Sequence, residues 1–143
     1  MKTLLIAFIL LPLLVAGQSS EPFKKANTIV IETGLSPEEA FLQWGRHLVR
    51  NGYTISESSR DFMALTTGPK DTSKWNYDFI VLSTIEESGA VVLRIKRRQK
   101  SSVVANTRAS EFFDWHYQGK ADIFYQDVMP VVSSFGPYAV TYR

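Results

Sequence analysis

A chain of 143 residues, 45% hydrophobic and 21% charged, has the length of one ordinary domain and is too apolar to be a disordered tail. Its 16 basic and 14 acidic side chains give a formal charge of +2, too small to mark a nucleic-acid binder. The absence of cysteine excludes disulfides, thiolate catalysis, Cys-ligated zinc, iron–sulfur clusters and a lipid-anchored N-terminal cysteine.

The chain opens with a positive Lys2, then an apolar run from Leu4 to Val15 broken only by Pro12. Val15-Ala16-Gly17 places small residues before the polar Gln18-Ser19-Ser20, the three-part layout of a secretory signal peptide. The run is shorter than the roughly 18–20 apolar residues that a membrane-spanning helix needs. Residues 1–17 therefore read as a cleavable signal peptide without a lipobox. The mature protein is expected to be periplasmic or secreted and not membrane-spanning after cleavage. No Asn-x-Ser/Thr sequon occurs, so glycosylation lends nothing to a eukaryotic secretory route.

Residues 18–25 are polar, contain Pro22, and read as a flexible lead-in to a single domain over 26–143. The β-branched Thr28-Ile29-Val30-Ile31 begins a first strand that runs to Thr33. Ser36-Pro37-Glu38-Glu39 joins a Ser cap, Pro at the first helical position and Glu three residues after the cap. Phe41, Trp44 and Leu48 then recur at helical spacing, and Asn51-Gly52 ends the element, which predicts a helix over 37–50.

From Tyr53 the period changes to two. Tyr53–Glu57 and Phe62–Thr67 read as paired strands around a turn at 58–61, followed by a loop at Gly68–Lys74. Trp75, Tyr77, Phe79 and Val81 alternate with Asn76 and Asp78, marking a buried and a wetter face. Glu86-Glu87-Ser88-Gly89 closes a hairpin onto a strand from Ala90 to Arg98. Here Val91, Leu93 and Ile95 share one face, and Arg94, Lys96 and Arg98 the other. Gln99–Thr107 reads as a loop with an extended piece at Val103-Val104. Ala109–Phe135 reads as mostly helical, with Phe113, Tyr117, Phe124, Val128 and Phe135 on one stripe. Gly119 is the expected break in it and Pro130 the expected kink or end. Tyr138–Tyr142 is left as a terminal strand or a tail.

The order β-α-β-β-β-β-α predicts an α+β domain, an antiparallel sheet of four to six strands with helices packed on one face. That element order resembles the small domains of periplasmic outer-membrane-assembly lipoproteins and other helix-over-sheet envelope modules. The resemblance lies in topology, and the lipobox cysteine of such lipoproteins is missing. No functional residue follows from it.

Catalytic chemistry is poorly supplied. His47 and His116 are the two histidines, and they form neither a His-x-x-x-His nor a His-Glu-x-x-His pair. His116 with Asp114 is an acid–base pair only if both face one cleft. There is no Gly-x-Ser-x-Gly elbow and no Gly-rich phosphate loop. Glu38-Glu39 are explained by helix capping, and Glu86-Glu87 by a solvated turn. The expectation is no catalytic residue, no metal and no cofactor.

Two clusters remain as candidate sites. Alternation places Arg94, Lys96, Arg98 and Lys100 along one side of a strand, a cationic ridge roughly 20 Å long at strand rise. Such a ridge suits an anionic lipid or an acidic envelope protein. An edge strand dressed with Lys and Arg against unwanted pairing has the same sequence pattern. Phe112 and Trp115 stand off the strongest aromatic stripe and are candidates for an apolar groove. The favoured reading is an exported, non-catalytic binding or interaction module of the bacterial cell envelope, with no nucleic-acid partner. The alternatives are a carrier of a small apolar or amphipathic ligand between sheet and helices, and a hydrolase-like enzyme of unrecognised type.

Overall fold

The structure is a computed structural model that describes residues 18–74, 76–100 and 111–143. The expected signal peptide, Trp75 and the expected extended piece at Val103-Val104 lie outside the described residues. Strands β1 (Thr28–Glu32), β2 (Ile55–Ser59), β3 (Ala64–Thr67), β4 (Lys70–Asp71), β5 (Tyr77–Ile85), β6 (Val91–Gln99), β7 (Phe113–Asp114) and β8 (Ala139–Tyr142) make one antiparallel sheet. Its order is β2-β3-β5-β6-β1-β8. β4 continues along β5 past β3, and β7 along β6 past β1. Helices α1 (Pro37–Arg50) and α2 (Ile123–Ser134) complete an α+β fold.

The β5–β6 hairpin is the spine of the sheet. Its register runs unbroken from Ile85 opposite Val91 to Tyr77 opposite Gln99. Gly89 makes the turn possible: its φ is +81°, and a Cβ there would sit 1.9 Å from the Leu35 carbonyl oxygen. The loop before α1 thus lies directly on the turn, and the Thr33 hydroxyl ties the two by donating to the Gly89 carbonyl at 2.8 Å.

Alternation sends Phe79, Val81, Ser83, Val91, Leu93 and Ile95 to the face that the helices cover. Trp44 of α1 donates its Nε1–H to Ser83 Oγ at 2.9 Å. Phe124 of α2 meets Tyr77 and Phe79 edge-on. The helices also hold each other, because His47 Nε2 donates to the Val131 carbonyl at 2.8 Å and Phe135 packs edge-on against Trp44. The layer is filled: Trp44, Phe79, Val81, Leu93 and Ile95 are each at most 1% exposed. Burial of each such side chain is worth ~1.5–3 kcal/mol.

The caps of α1 form as their residues imply. Ser36 Oγ accepts from the Glu39 N–H at 3.3 Å, and the hydroxyl faces Glu39 Oε2. At the other end Gly52 adopts φ +77°, its N–H reaches the Val49 carbonyl and that of Tyr53 reaches Leu48. That pair of bonds is a Schellman closure, which satisfies carbonyls the helix leaves open.

Several expectations need correction. Among the described residues the sheet has eight strands rather than four to six, and β4 and β7 are two residues each, too short for periodicity to reveal. β2 and β3 begin two residues later than expected. Tyr53 is engaged in the helix closure, and Met63 takes φ +45° in the turn. The largest change concerns the expected helix over 109–135: among its described residues, 111–135, only Ile123–Ser134 is α-helical. Phe113 and Asp114 pair with β6, and the Trp115 and Tyr117 N–H groups donate to the Ile95 and Ala26 carbonyls. Sheet partners thereby take the backbone groups that a longer helix would have used. Pro130 neither ends nor breaks α2, which runs through it to Ser134, and its own side chain is exposed. The 18–25 segment is anchored by a bridge between Ser19 and Tyr142 and by the Lys25 N–H bond to the Tyr117 carbonyl.

Candidate functional site

The ridge residues do share the helix-free face, but carboxylates meet three of the four. Arg98 donates to Asp78 from Nε at 3.0 Å and Nη2 at 2.6 Å. Lys100 lies 2.6 Å from Asp71, and Lys96 lies 3.9 Å from Asp114. Arg94 is exposed and has no carboxylate partner among the described residues. Most of the ridge charge is therefore compensated within the sheet.

Phe112 and Trp115 do not line one groove. Phe112 lies under the Arg98 guanidinium, 4.3 Å from ring centroid to Cζ, on the face away from the helices. Trp115 points to the helix side and is 2% exposed. Its Nε1–H donates to both oxygens of Asp122, at 2.9 and 2.8 Å. Asp122 in turn caps α2, accepting from the Phe124 and Tyr125 N–H groups, and also accepts from the Gln118 N–H, each at 3.1 Å. One carboxylate thus fixes both the 115–122 connector and the helix start.

Beside that clamp an open cleft of about 320 Å³ is lined chiefly by Tyr77, Arg97, Trp115, His116, Ile123 and Phe124. Arg97 sits one register step from its ridge neighbours, so it falls on the helix side opposite Phe79 and Phe113. Its guanidinium lies over the Phe124 ring at 5.9 Å, is exposed, and has no carboxylate partner among the described residues. The Asp122 carboxylate is occupied by its four N–H donors. The cleft accordingly offers aromatic walls and one uncommitted cation, the complement of an anion with an apolar body.

Neither Arg97 nor Tyr77 is among the candidate site residues that the sequence suggests. The parity of β6 was the available signal, because position 97 falls in step with Leu93 and Ile95. Asp114 faces Lys96 across the sheet from the cleft, whereas His116 lines it, so the two do not converge. His47 is held by the Val131 carbonyl and the Trp44 ring. Among the described residues no group of three His, Asp or Glu side chains is placed to hold a metal ion. No helix among them is long and apolar enough to cross a membrane.

Set against known proteins, the sequence matches no family model and no curated protein.

Proposed function

We propose that the mature chain is an exported, non-catalytic binding module of the bacterial cell envelope, and that the Arg97 cleft takes an amphipathic anion, in the first instance an anionic lipid. The observation that carries this reading is an exposed guanidinium without a carboxylate, set over aromatic walls in an open cleft. A binding module needs such an accessible patch, whereas a carrier needs an enclosed chamber. The space between sheet and helices is occupied by Trp44, Phe79, Val81 and Leu93, which supports the module over the carrier. Export rests on the Lys2, Leu4–Val15 and Val15-Ala16-Gly17 pattern.

Two measurements test this. Mass spectrometry of a periplasmic fraction is expected to find the mature N-terminus at or near Gln18; Met1 retained in a membrane fraction overturns the export. Calorimetric titration with a short-chain phosphatidylglycerol, below its micelle concentration, is expected to show saturable binding that the phosphatidylcholine analogue lacks. Arg97→Gln is expected to weaken it about tenfold, or about 1.4 kcal/mol. Equal binding of both lipids, or no loss in the variant, removes Arg97 from the site.

A further inference from the structure

Helix α1 carries a second stripe that the core does not use. Its buried side is Ala40, Phe41, Trp44 and Leu48. Leu42, Gly45, Arg46 and Val49 repeat the same helical spacing on a neighbouring face. Leu42 and Val49 are 37% and 56% exposed, two of the large apolar side chains that the fold leaves in solvent. Between this stripe and edge strand β2 runs an open groove of about 420 Å³, floored by Ile55 and Leu65 and walled by Leu42 and Val49. It is remote from the Arg97 cleft and shares no lining residue with it.

Gly45 keeps the floor of this groove open. A Cβ at Gly45 would meet Leu65 Cδ1 at 3.4 Å, an ordinary contact, and the backbone there is helical. Alanine would therefore fit and would favour the helix by roughly 0.5–1 kcal/mol. Stability alone gives no reason for glycine, while an unfilled groove does.

The rim adds charge. Arg46 and Arg50 line the groove, are exposed, and meet no carboxylate among the described residues. A second copy docking here face to face would bring four guanidinium groups together, which disfavours self-association. Strand β2 is also a poor template for an added strand. Its register slips between Ile55 and Glu57, and the Ser56 hydroxyl turns inward to the Thr66 carbonyl. Such an edge bulge blocks strand addition, so the occupant must enter by its side chains. A concave floor receives projecting side chains, unlike a flat lipid surface.

We infer that the α1–β2 groove is a docking site for an acidic amphipathic helix of a partner protein, its apolar residues seated on Ile55 and Leu65 and its carboxylates on Arg46 and Arg50. The recognition mode is helix-in-groove, with anchors at i, i+3, i+4 and i+7.

The test uses a capped helical peptide with Leu at i, i+3, i+4 and i+7 and Glu at the flanking positions, its Lys-for-Glu counterpart, and the mature protein. Fluorescence anisotropy is expected to show salt-weakened binding of the Glu peptide and at least about tenfold weaker binding of the Lys peptide. Amide shifts in NMR spectra are expected to cluster on α1 and β2. Arg46→Gln with Arg50→Gln, two exposed and unpaired positions, should lower affinity at least about tenfold without lowering the melting temperature. Gly45→Leu should block binding, and Gly45→Ala should weaken it while raising the melting temperature. Equal binding of both peptides, or undiminished binding by Gly45→Leu, overturns the proposal. So does a concentration-dependent dimer in sedimentation that buries this face. Flotation with phosphatidylglycerol vesicles that is lost in the double Arg variant assigns the face to lipid and overturns it as well.

Discussion

Arg98 and Asp78 face each other across β5 and β6 and form a forked pair, in which a carboxylate 7% exposed is covered by a guanidinium 28% exposed. The pair holds the two long strands in register at the end farthest from their turn. It also lays the guanidinium on Phe112. A cation that reads as a docking group in sequence is, in the fold, a strut, and Asp78 holds it all the more firmly in its charged form.

Arg98→Gln is accordingly expected to destabilise the protein by about 1–3 kcal/mol, because it leaves a nearly buried carboxylate without its partner. Arg98→Gln combined with Asp78→Asn should recover part of that loss, and Arg94→Gln should cost almost nothing. Urea titrations of the three variants check this. Equal costs at positions 94 and 98 would remove the distinction between strut and solvated cation.

The two turns flanking α1 and β6 make a sharper contrast. Gly89 and Gly34 both have positive φ, yet a Cβ at Gly89 would strike the Leu35 backbone while one at Gly34 would meet open space. Gly34→Ala is expected to cost about 1–2 kcal/mol for the conformation alone. Gly89→Ala is expected to cost more, since a backbone segment has to move as well. Thermal melts rank the two, and the reverse order would mean that the Leu35 loop yields freely.

Tyr53 supplies a pH dependence. Burial pushes its phenol from the ordinary 10.0 up to about 12, with Asp127 adding to the rise. The folded state therefore favours the neutral phenol. Its contribution to stability is complete below pH ~10 and is lost as pH climbs through about 12. The buried Tyr53 hydroxyl has no hydrogen-bond partner among the described residues. Tyr53→Phe is thus expected to leave neutral-pH stability unchanged or raise it by up to about 1 kcal/mol, and to flatten the alkaline decline. Tyr142, raised by burial and by its bond to Tyr125, keeps part of that decline in place. Urea titrations near neutrality and at about pH 11 decide it, and an equal alkaline loss in parent and variant would rule Tyr53 out.

What was legible in the sequence follows the range of the forces involved. Helix α1 could be read to the residue because Ser36, Pro37, Asn51 and Gly52 fix its ends by local bonds. The faces of β6 could be read because Val91, Leu93 and Ile95 alternate with cations. Asp78 opposite Arg98 was within reach too, since a turn at Glu86–Gly89 that sets Ile85 against Val91 carries the register to that pair. Residues 113–121 were not legible as a helix or a strand from aromatic spacing alone. Phe113, Tyr117 and Phe124 fit a helical stripe, yet Trp115 and Tyr117 are buried while His116 and Gln118 are exposed, which is an extended pattern. The choice was made by distant partners: Ile95 and Ala26 for the backbone, and Asp122 for the indole. The Arg97 cleft depends on that choice, so it stayed hidden with it.

β1 lies between β6 and β8, and its Ile29 is paired with a Tyr142 that follows it by roughly 110 residues. An early strand thus has both of its neighbours far downstream. While the chain is being made, the apolar Ile29-Val30-Ile31 run waits for its native partners, and the sheet can close only after β8 has been synthesised. The first strand of the domain is therefore among the last to gain its partners, since both of its ladders are long-range.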